Sequence, residues 1–532
     1  MSWDFFKKSK KDYPADQYSN QYKDEVLHSI VMDNDLTKVP IAFSFLLTHS
    51  NDLKKRTVEA LHLCLSQLTS KEVLALDTLF RNRTSMDWSY DWKNESPKNL
   101  YFSDISDDEK VTVLGLGTFH PNGFFREKAL KLLGAFETGR EVPFLLLRCN
   151  DWVFEVRNIA KSLIHNRIKV SYAEQIVKHL PIVFKLKNSN RVDHSVLIEK
   201  VVTLLLQQEA VPFLHKGTKS KDNKIRYFSY KIMIYSNMFK RSSLVEYLKL
   251  EKEPHSRLLL FNEIMNDINE NEFNAYYSIL KRDKFPKIRA EVLLKSYTFN
   301  PHQSREDLEK ALFDKSGTIR SIARFLLKKL GITDFASYYI KVINHPHNEN
   351  LRGALLGIGE VGDKNHIEAV LPFLESEKAG NVKAAIRAIS MLDANNYRSE
   401  FIKMLSHDHN GIAKEARKAL QKTFYNDKVN EIYRVYKEGK TPHSKYNAAI
   451  LLASLPKWDS IRFIIEFYVN HNDDSISDYG KLQLVKWIAA FNRTFSAPSK
   501  EQEASIRQAL MRYGSELDEE DRRHIEFYLK GF

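Results

Sequence analysis

Apolar side chains recur along this chain in short amphipathic stripes, two to each interval of about thirty residues. In one clear copy Ile367, Ala369, Val370, Leu371, Phe373 and Leu374 make a first stripe, and Val382, Ala385, Ile386 and Ile389 make a second. The second stripe follows the i, i+3, i+4, i+7 spacing of one helix face. Each second helix opens on a basic residue: Arg126, Arg157, Arg226, Arg257, Arg289, Arg320, Arg352, Lys383, Lys414 and Lys445. Successive differences are 31, 69, 31, 32, 31, 32, 31, 31 and 31. The wide gap holds two units, with a degenerate copy near Ser195. A fixed period of this length is the signature of stacked helical hairpins, since one hairpin cannot bury both of its stripes alone.

The pattern divides the chain. Residues 1–24 mix Trp3, Phe5 and Phe6 with lysines and read as a tail or cap; a short membrane-surface anchor is the alternative, with too little apolar face to support it. Residues 25–83 carry divergent N-terminal repeats. Residues 84–108 break the period with an aromatic and acidic insertion. Residues 109–497 hold the array, and residues 498–532 make capping helices.

Within the array an acid lies six residues before the basic one, as at Asp151/Arg157, Asp283/Arg289, Asp314/Arg320 and Asp408/Lys414, with Glu251/Arg257 and Glu377/Lys383 as variants. Small residues follow three places on: Ala129, Ala160, Ser229, Ala323 and Ala448. An acid at that place is expected to accept hydrogen bonds from the free N–H groups of the coming helix. The basic side chain then pairs with an acid of its own or an adjacent turn. These units resemble the HEAT repeat family in its short bacterial-type form, over about residues 109–495. The resemblance implies that the Asp and Arg rows are structural rather than ligand contacts. It implies an all-α fold, a right-handed α-solenoid of about twelve or thirteen HEAT-like hairpins, on the order of 100 Å along its curve.

Charge adds one feature to this picture. The net charge is +13, and residues 151–250 carry 18 Lys and Arg against 8 Asp and Glu, which is +10 of it. Lys185, Lys187 and Arg191, with Lys216, Lys219, Lys221 and Lys224 one period later, fall between first and second helices. Stacking places them on one rim, where they could meet phosphates. The alternative is a solvated edge. In the insertion, Trp88, Tyr90, Trp92, Tyr101 and Phe102 make either a recognition loop or the cover of a repeat seam. The seam is preferred, because clustered exposed tryptophans are costly.

Chemistry is otherwise sparse. The family includes hydroxylases that hold two irons with His-Glu dipeptides, and no such dipeptide occurs here. The pairs His345/His347 and His407/His409 lack a Cys or acidic partner at ligand spacing and read as turn residues. Gly357, Gly359 and Gly362 spell G-x-G-x-x-G but follow no strand, so they are expected to end a helix. Cys64 and Cys149 lie in apolar runs as reduced thiols, which suits the cytoplasm. No secretory signal and no membrane-length apolar run is evident. No cofactor, metal or small-molecule substrate is expected. The expected function is a non-enzymatic scaffold that binds another protein or peptide. The alternative is a nucleic-acid-binding protein using residues 185–226, in the manner of the DNA-repair glycosylases built from similar repeats.

Overall fold

The computed structural model describes residue 15, residues 18–82, residue 92, and residues 95–345, 347–423, 425–490 and 496–530. Trp88, Tyr90 and the aromatic and basic tail residues Trp3 to Lys11 lie outside them. Among the described residues there are helices and no strands. No described helix is long and apolar enough to cross a membrane.

The chain divides into two compact units, Met1–Asn269 and Glu270–Phe532. The first holds α1 (Asn20–Met32), α2 (Val39–Ser44), α3 (Asn51–Gln67), α4 (Ser70–Arg81), α5 (Asp107–Gly117), α6 (Gly123–Leu133), α7 (Val142–Arg148), α8 (Phe154–His165), α9 (Ala173–Lys178), α10 (Leu180–Lys185), α11 (Ser195–Leu205), α12 (Val211–Gly217), α13 (Asn223–Tyr235), α14 (Arg241–Leu250) and α15 (Pro254–Met265). The second holds α16 (Glu270–Leu280), α17 (Pro286–Phe299), α18 (Arg305–Ala311), α19 (Gly317–Lys329), α20 (Phe335–Ile343), α21 (Leu351–Val361), α22 (Ile367–Val370), α23 (Ala379–Asp393), α24 (Arg398–Leu405), α25 (Asn410–Leu420), α26 (Val429–Glu438), α27 (Pro442–Ala453), α28 (Lys457–Tyr468), α29 (Asp474–Ala489), α30 (Lys500–Tyr513) and α31 (Glu519–Lys530).

Each unit is an α-solenoid. First and second helices pack as hairpins (α5 on α6, α7 on α8, α18 on α19, α24 on α25), and second helices pack on the next second helix (α6 on α8, α17 on α19, α23 on α25). The reason is visible in α19, whose buried residues are Ile319, Arg320, Ala323, Leu326 and Leu327, one face and nothing else. Each fully buried Leu or Ile there contributes about 1.5–3 kcal/mol. The helix stops at Gly331, with φ +84, where Gly331 N–H donates to Lys328 O and Ile332 N–H to Leu327 O, a glycine-closed C-terminus. Ala129, Ala160, Ser229, Ala323 and Ala448 are all fully buried where neighbouring helices approach.

Two local expectations change. Gly357 and Gly359 lie inside α21 rather than at its end: a Cβ on Gly357 would meet the Tyr339 ring at 2.3 Å, and one on Gly359 would meet Ala388 Cα at 2.7 Å. Close helix approach demands these two, while Gly362 does close α21 as expected, its N–H donating to Ile358 O. The second change is α4. A solenoid repeat touches only its neighbours, yet α4 packs on α7 and α10. Ser70 Oγ, at its start, donates to Lys178 O at 3.3 Å and lies 3.4 Å from His179 Nδ1. His179 sits where Pro181 interrupts the helix and divides α9 from α10.

Candidate interaction rim on the first unit

The arginine row has a specific job. In six copies Nη1 donates to the carbonyl six residues earlier, tying the helix to the turn before it, as with Arg126 to His120 O at 3.0 Å, Arg157 to Asp151 O at 2.6 Å, Arg226 to Ser220 O at 2.8 Å and Arg289 to Asp283 O at 2.7 Å. Arg257 and Arg320 do the same to Glu251 O and Asp314 O. The other edge of the guanidinium reaches the acid of the next copy, as in Arg126–Asp151 at 2.8 Å, Arg226–Glu251 at 2.8 Å and Arg289–Asp314 at 2.7 Å. Arg320 finds no acid there and pairs with Glu360 of α21 instead.

The acid does not cap the helix directly, as the sequence reading had it. Asp151, Asp283 and Asp314 each accept the N–H two residues on, at Val153 (3.0 Å), Phe285 (2.8 Å) and Ser316 (2.8 Å). Those residues are the N-caps. The carboxylate therefore shapes the turn, an Asx-type closure, and the helix begins after it.

One node departs from the rule. Asp151 is fully buried and accepts from Arg126 Nε (3.1 Å) and Nη2 (2.8 Å) and from Arg148 Nη1 (3.0 Å), with Arg81 Nη2 at 4.0 Å. Arg81 and Arg148 both also pair with Asp77. Arg191 Nη1 donates to Asn150 O at 3.1 Å. Five guanidiniums, counting Arg157 on Asp151 O, thus surround two carboxylates. Burial alone would raise the Asp151 carboxyl, but Arg148 and Arg126 beside it hold it below its ordinary range. Burial, and then the charge of Arg148, lowers the pKa of Arg81. Next to this node three aromatic side chains face solvent: Phe124 (78% exposed), Trp152 (63%) and Phe154 (61%). The Arg81 and Arg191 guanidiniums lie over the Trp152 ring at 5.5 and 5.1 Å, and that of Arg157 over Phe154 at 5.6 Å. Arg81, Pro121, Gly123, Arg126, Trp152 and Val153 line an open cleft of about 410 Å³ between the two turns.

The residues singled out in the sequence fall as follows. Lys185, Lys187, Arg191, Lys216, Lys219, Lys221 and Lys224 are all exposed, in or beside the turns before α11 and α13. Lys216 is tied to Glu174 at 2.6 Å, and Arg191 belongs to the Trp152 cluster; the other five form no ion pair among the described residues. Lys221 also edges a cleft of about 430 Å³ shared with Thr69, Ser70, Arg140, Lys178 and His179. Burial, with Lys178 adding to it, pulls His179 down to about 4, so its imidazole is neutral. In the insertion, Trp92 is 1% exposed, stacked on Phe43 at 5.3 Å and edge-on to Phe125 at 5.2 Å. It fills the core and is not available for recognition. Tyr101 and Phe102 are half-buried, with Lys54 Nζ 5.3 Å from the Phe102 ring. Cys64 and Cys149 are buried thiols whose pKa burial raises, to about 11 and about 12.

Sequence reasoning passed over Phe124, Trp152 and Phe154. A signal for Trp152 was present: the position after the acid is Lys252, Lys284 and Lys315 in other copies, all exposed, so an aromatic there must face solvent too.

No protein-family model and no curated protein sequence matches the chain. Solved structures do. The chain is similar to the S. pombe condensin Cnd3–Cnd2 subcomplex, at 13% identity over 98% of this chain and 81% of that one, with a TM-score of 0.39. It is similar to Kap121p at 10% identity over 93% of this chain and 55% of that one (TM-score 0.24), and to the UNC-45 chaperone at 12% over 94% and 77% (TM-score 0.17). The chain thus spans little more than half of Kap121p. At these scores the likeness carries no argument, and the fold stands on the helix order and pairing given above.

Proposed function

We propose that this protein is a non-enzymatic scaffold that binds another protein on the rim of its first unit. One observation carries the reading: Phe124, Trp152 and Phe154, on the turns that open adjacent second helices, are left largely in water. Exposing three large aromatic side chains on adjacent turns is unfavourable in water unless a partner covers them, and aromatic and arginine side chains are what interface centres are built from. The test is affinity capture from the native source with wild type and with the triple variant Phe124→Ser, Trp152→Ser, Phe154→Ser. Wild type is expected to recover one stoichiometric protein that the variant loses. Equal recovery by both, or no stoichiometric protein at all, overturns the reading.

A second reading keeps the nucleic-acid alternative, on the observation that Lys185, Lys187, Lys219, Lys221 and Lys224 are exposed without ion pairs among the described residues. Five phosphate contacts would give a steep loss of affinity with salt. Titration of duplex and single-stranded DNA and RNA across a salt series tests it. Absence of binding at low salt, or binding unchanged when Lys219, Lys221 and Lys224 become Glu, sinks it.

A further inference from the structure

We infer that the cluster of Arg81, Trp152 and Arg191, with the cleft beside it, reads an acidic, extended segment of a protein partner that carries an apolar side chain near its carboxylates. This deepens the scaffold reading and rests on it. The first argument is charge. Five guanidiniums meet two carboxylates, and both carboxylates already have close arginine partners. Counting the nearby exposed Glu155 and Asp193 and the neighbouring Lys161, six cations still face four anions. The surplus is concentrated at the surface, since Arg191 is exposed and Arg81 is partly exposed, while Arg126 and Arg148 are buried in the node.

The second argument is preorganisation. A guanidinium over an indole is held in one plane while its N–H edge stays free for a carboxylate, which it grips through two parallel bonds. Arg191 spends Nη1 on Asn150 O, which fixes the fork and leaves its remaining donors for a ligand. Side chains already ordered by the fold lose little entropy on binding. The third argument is spacing. Second helices α6 and α8 pack directly, at about 8–10 Å between axes, close to three residues of extended chain at about 3.3 Å each. A segment crossing from the turn before α8 to the turn before α6 therefore spends about three residues, and Phe124 is the exposed aromatic side chain on the α6 side. The cleft itself has apolar walls in Pro121 and Val153 and a guanidinium floor in Arg126.

The same features argue against a nucleic-acid strand at this place. Base stacking needs free aromatic faces, whereas the π-surface of Trp152 is already engaged by two guanidiniums and that of Phe154 by one.

The test uses the full chain and three probes: a fluorescein-labelled twelve-residue peptide of Asp-Ser-Ser-Phe repeats, its twin with Asn for Asp, and labelled oligo(dT) of twenty nucleotides. Polarisation titrations at low and physiological salt should show the acidic peptide bound at least tenfold more tightly than its amide twin, with affinity falling as salt rises. Trp152→Ala and Arg191→Met should each weaken it by about tenfold or more, the size expected of a hot-spot residue. Trp152→Phe should recover part of the loss, and Lys219→Glu should leave selectivity over the twin intact. Circular dichroism melts confirm that the variants fold. Equal binding of the two peptides, or oligo(dT) displacing the acidic peptide at this site, overturns the proposal. If the peptides do not discriminate but the Trp152 variant still loses its stoichiometric protein on capture, the acidic-segment proposal falls while the scaffold reading stands. If capture is also unchanged, both fall.

Discussion

The turn at Asp151 in the first unit and the turn at Asp314 in the second are built to one plan and differ in what has been added. In both, an aspartate accepts the N–H two residues on and binds the arginine 25 residues before it, at 2.8 and 2.7 Å. At Asp314 the carboxylate meets one arginine, with Arg320 on the backbone carbonyl just as Arg157 is on that of Asp151, and the aspartate side chain is 20% exposed. At Asp151 the aspartate is sealed from solvent, Arg148 and Arg81 crowd in, and the residue after it is tryptophan instead of lysine. The same repeat joint is structural where its charges cancel and becomes a surface with chemical preference where guanidiniums exceed carboxylates.

The largest expected break in that comparison is Asp151→Ala. It strands a cluster of buried guanidiniums, and removing one partner of a buried pair costs about 3–5 kcal/mol. Asp314→Ala leaves one partly exposed arginine and should cost about 1–2 kcal/mol. With two compact units the unfolding is not assured to be two-state, so hydrogen exchange resolved by unit in the full chain is the suitable measure. Equal losses in the two variants would show that the extra arginines at Asp151 do nothing.

Removing a cation instead should invert the order. Arg289→Met leaves Asp314 without its arginine and is expected to cost about 1–3 kcal/mol. Arg81→Met leaves Asp77 and Asp151 still paired with Arg148, and relieves a cation crowded by it, so the change should lie within about 0.5 kcal/mol of wild type. Denaturant midpoints for the two variants settle this, and a loss at Arg81 as large as that at Arg289 would contradict the surplus.

How much of this was legible beforehand depends on which residues are asked about. The period, the hairpins, the buried Ala and Ser row and the structural standing of Arg320 followed from spacing, because each repeat obeys the same local rule. The six-residue offset was legible, but its cause was not: it reflects an arginine tied to a carbonyl, and backbone acceptors leave no trace in side-chain identity. The packing of α4 on α7 and α10 was invisible, since Ser70 and His179 meet across 109 residues and nothing periodic links them. Arg81 enters the Asp151 node from a distant helix for the same reason, whereas Arg148 lies only three residues before Asp151 but outside the arginine row. The two tryptophans fared differently. Trp92, in the insertion, is buried as the preferred seam reading expects, while Trp152, in a stretch that read as an ordinary turn, is surface. Composition of the flanking residues cannot tell these apart, whereas alignment of the repeats against one another can.

Acid should separate the two turns next. Burial and the Arg126 charge lower His120, just before α6, to about 3, and burial lowers His179 to about 4. A depressed histidine pKa means that the unfolded chain binds the proton more readily. The stability these groups carry is therefore complete above about pH 6.5 and declines as pH falls toward their folded values. For His179 the loss is about 1–2 kcal/mol by pH 5. The lowered Asp151 and Glu251 carboxyls add a further loss only at lower pH, as it falls below the ordinary carboxylate range. Exchange protection in the first unit, taken relative to the intrinsic exchange rate at each pH, should fall between pH 6.5 and 5, and His179→Gln should flatten that slope; an unchanged slope would show that His179 is not its source.

The smallest stability effect belongs to the residue that matters most for binding. Trp152→Lys gives the Asp151 turn the side chain that Lys252, Lys284 and Lys315 supply elsewhere, and at so exposed a position it should move stability by no more than about 0.5 kcal/mol. Acidic-peptide binding should nevertheless fall about tenfold, because the two guanidiniums lose the ring that holds them in plane. The reciprocal change, Lys315→Trp, puts an exposed tryptophan beside Asp314, where Arg289 is already matched to its carboxylate. That variant should gain no acidic-peptide affinity in the same polarisation titration. A gain there would mean that an exposed indole suffices by itself, and that the arginine surplus around Asp151 is incidental to recognition.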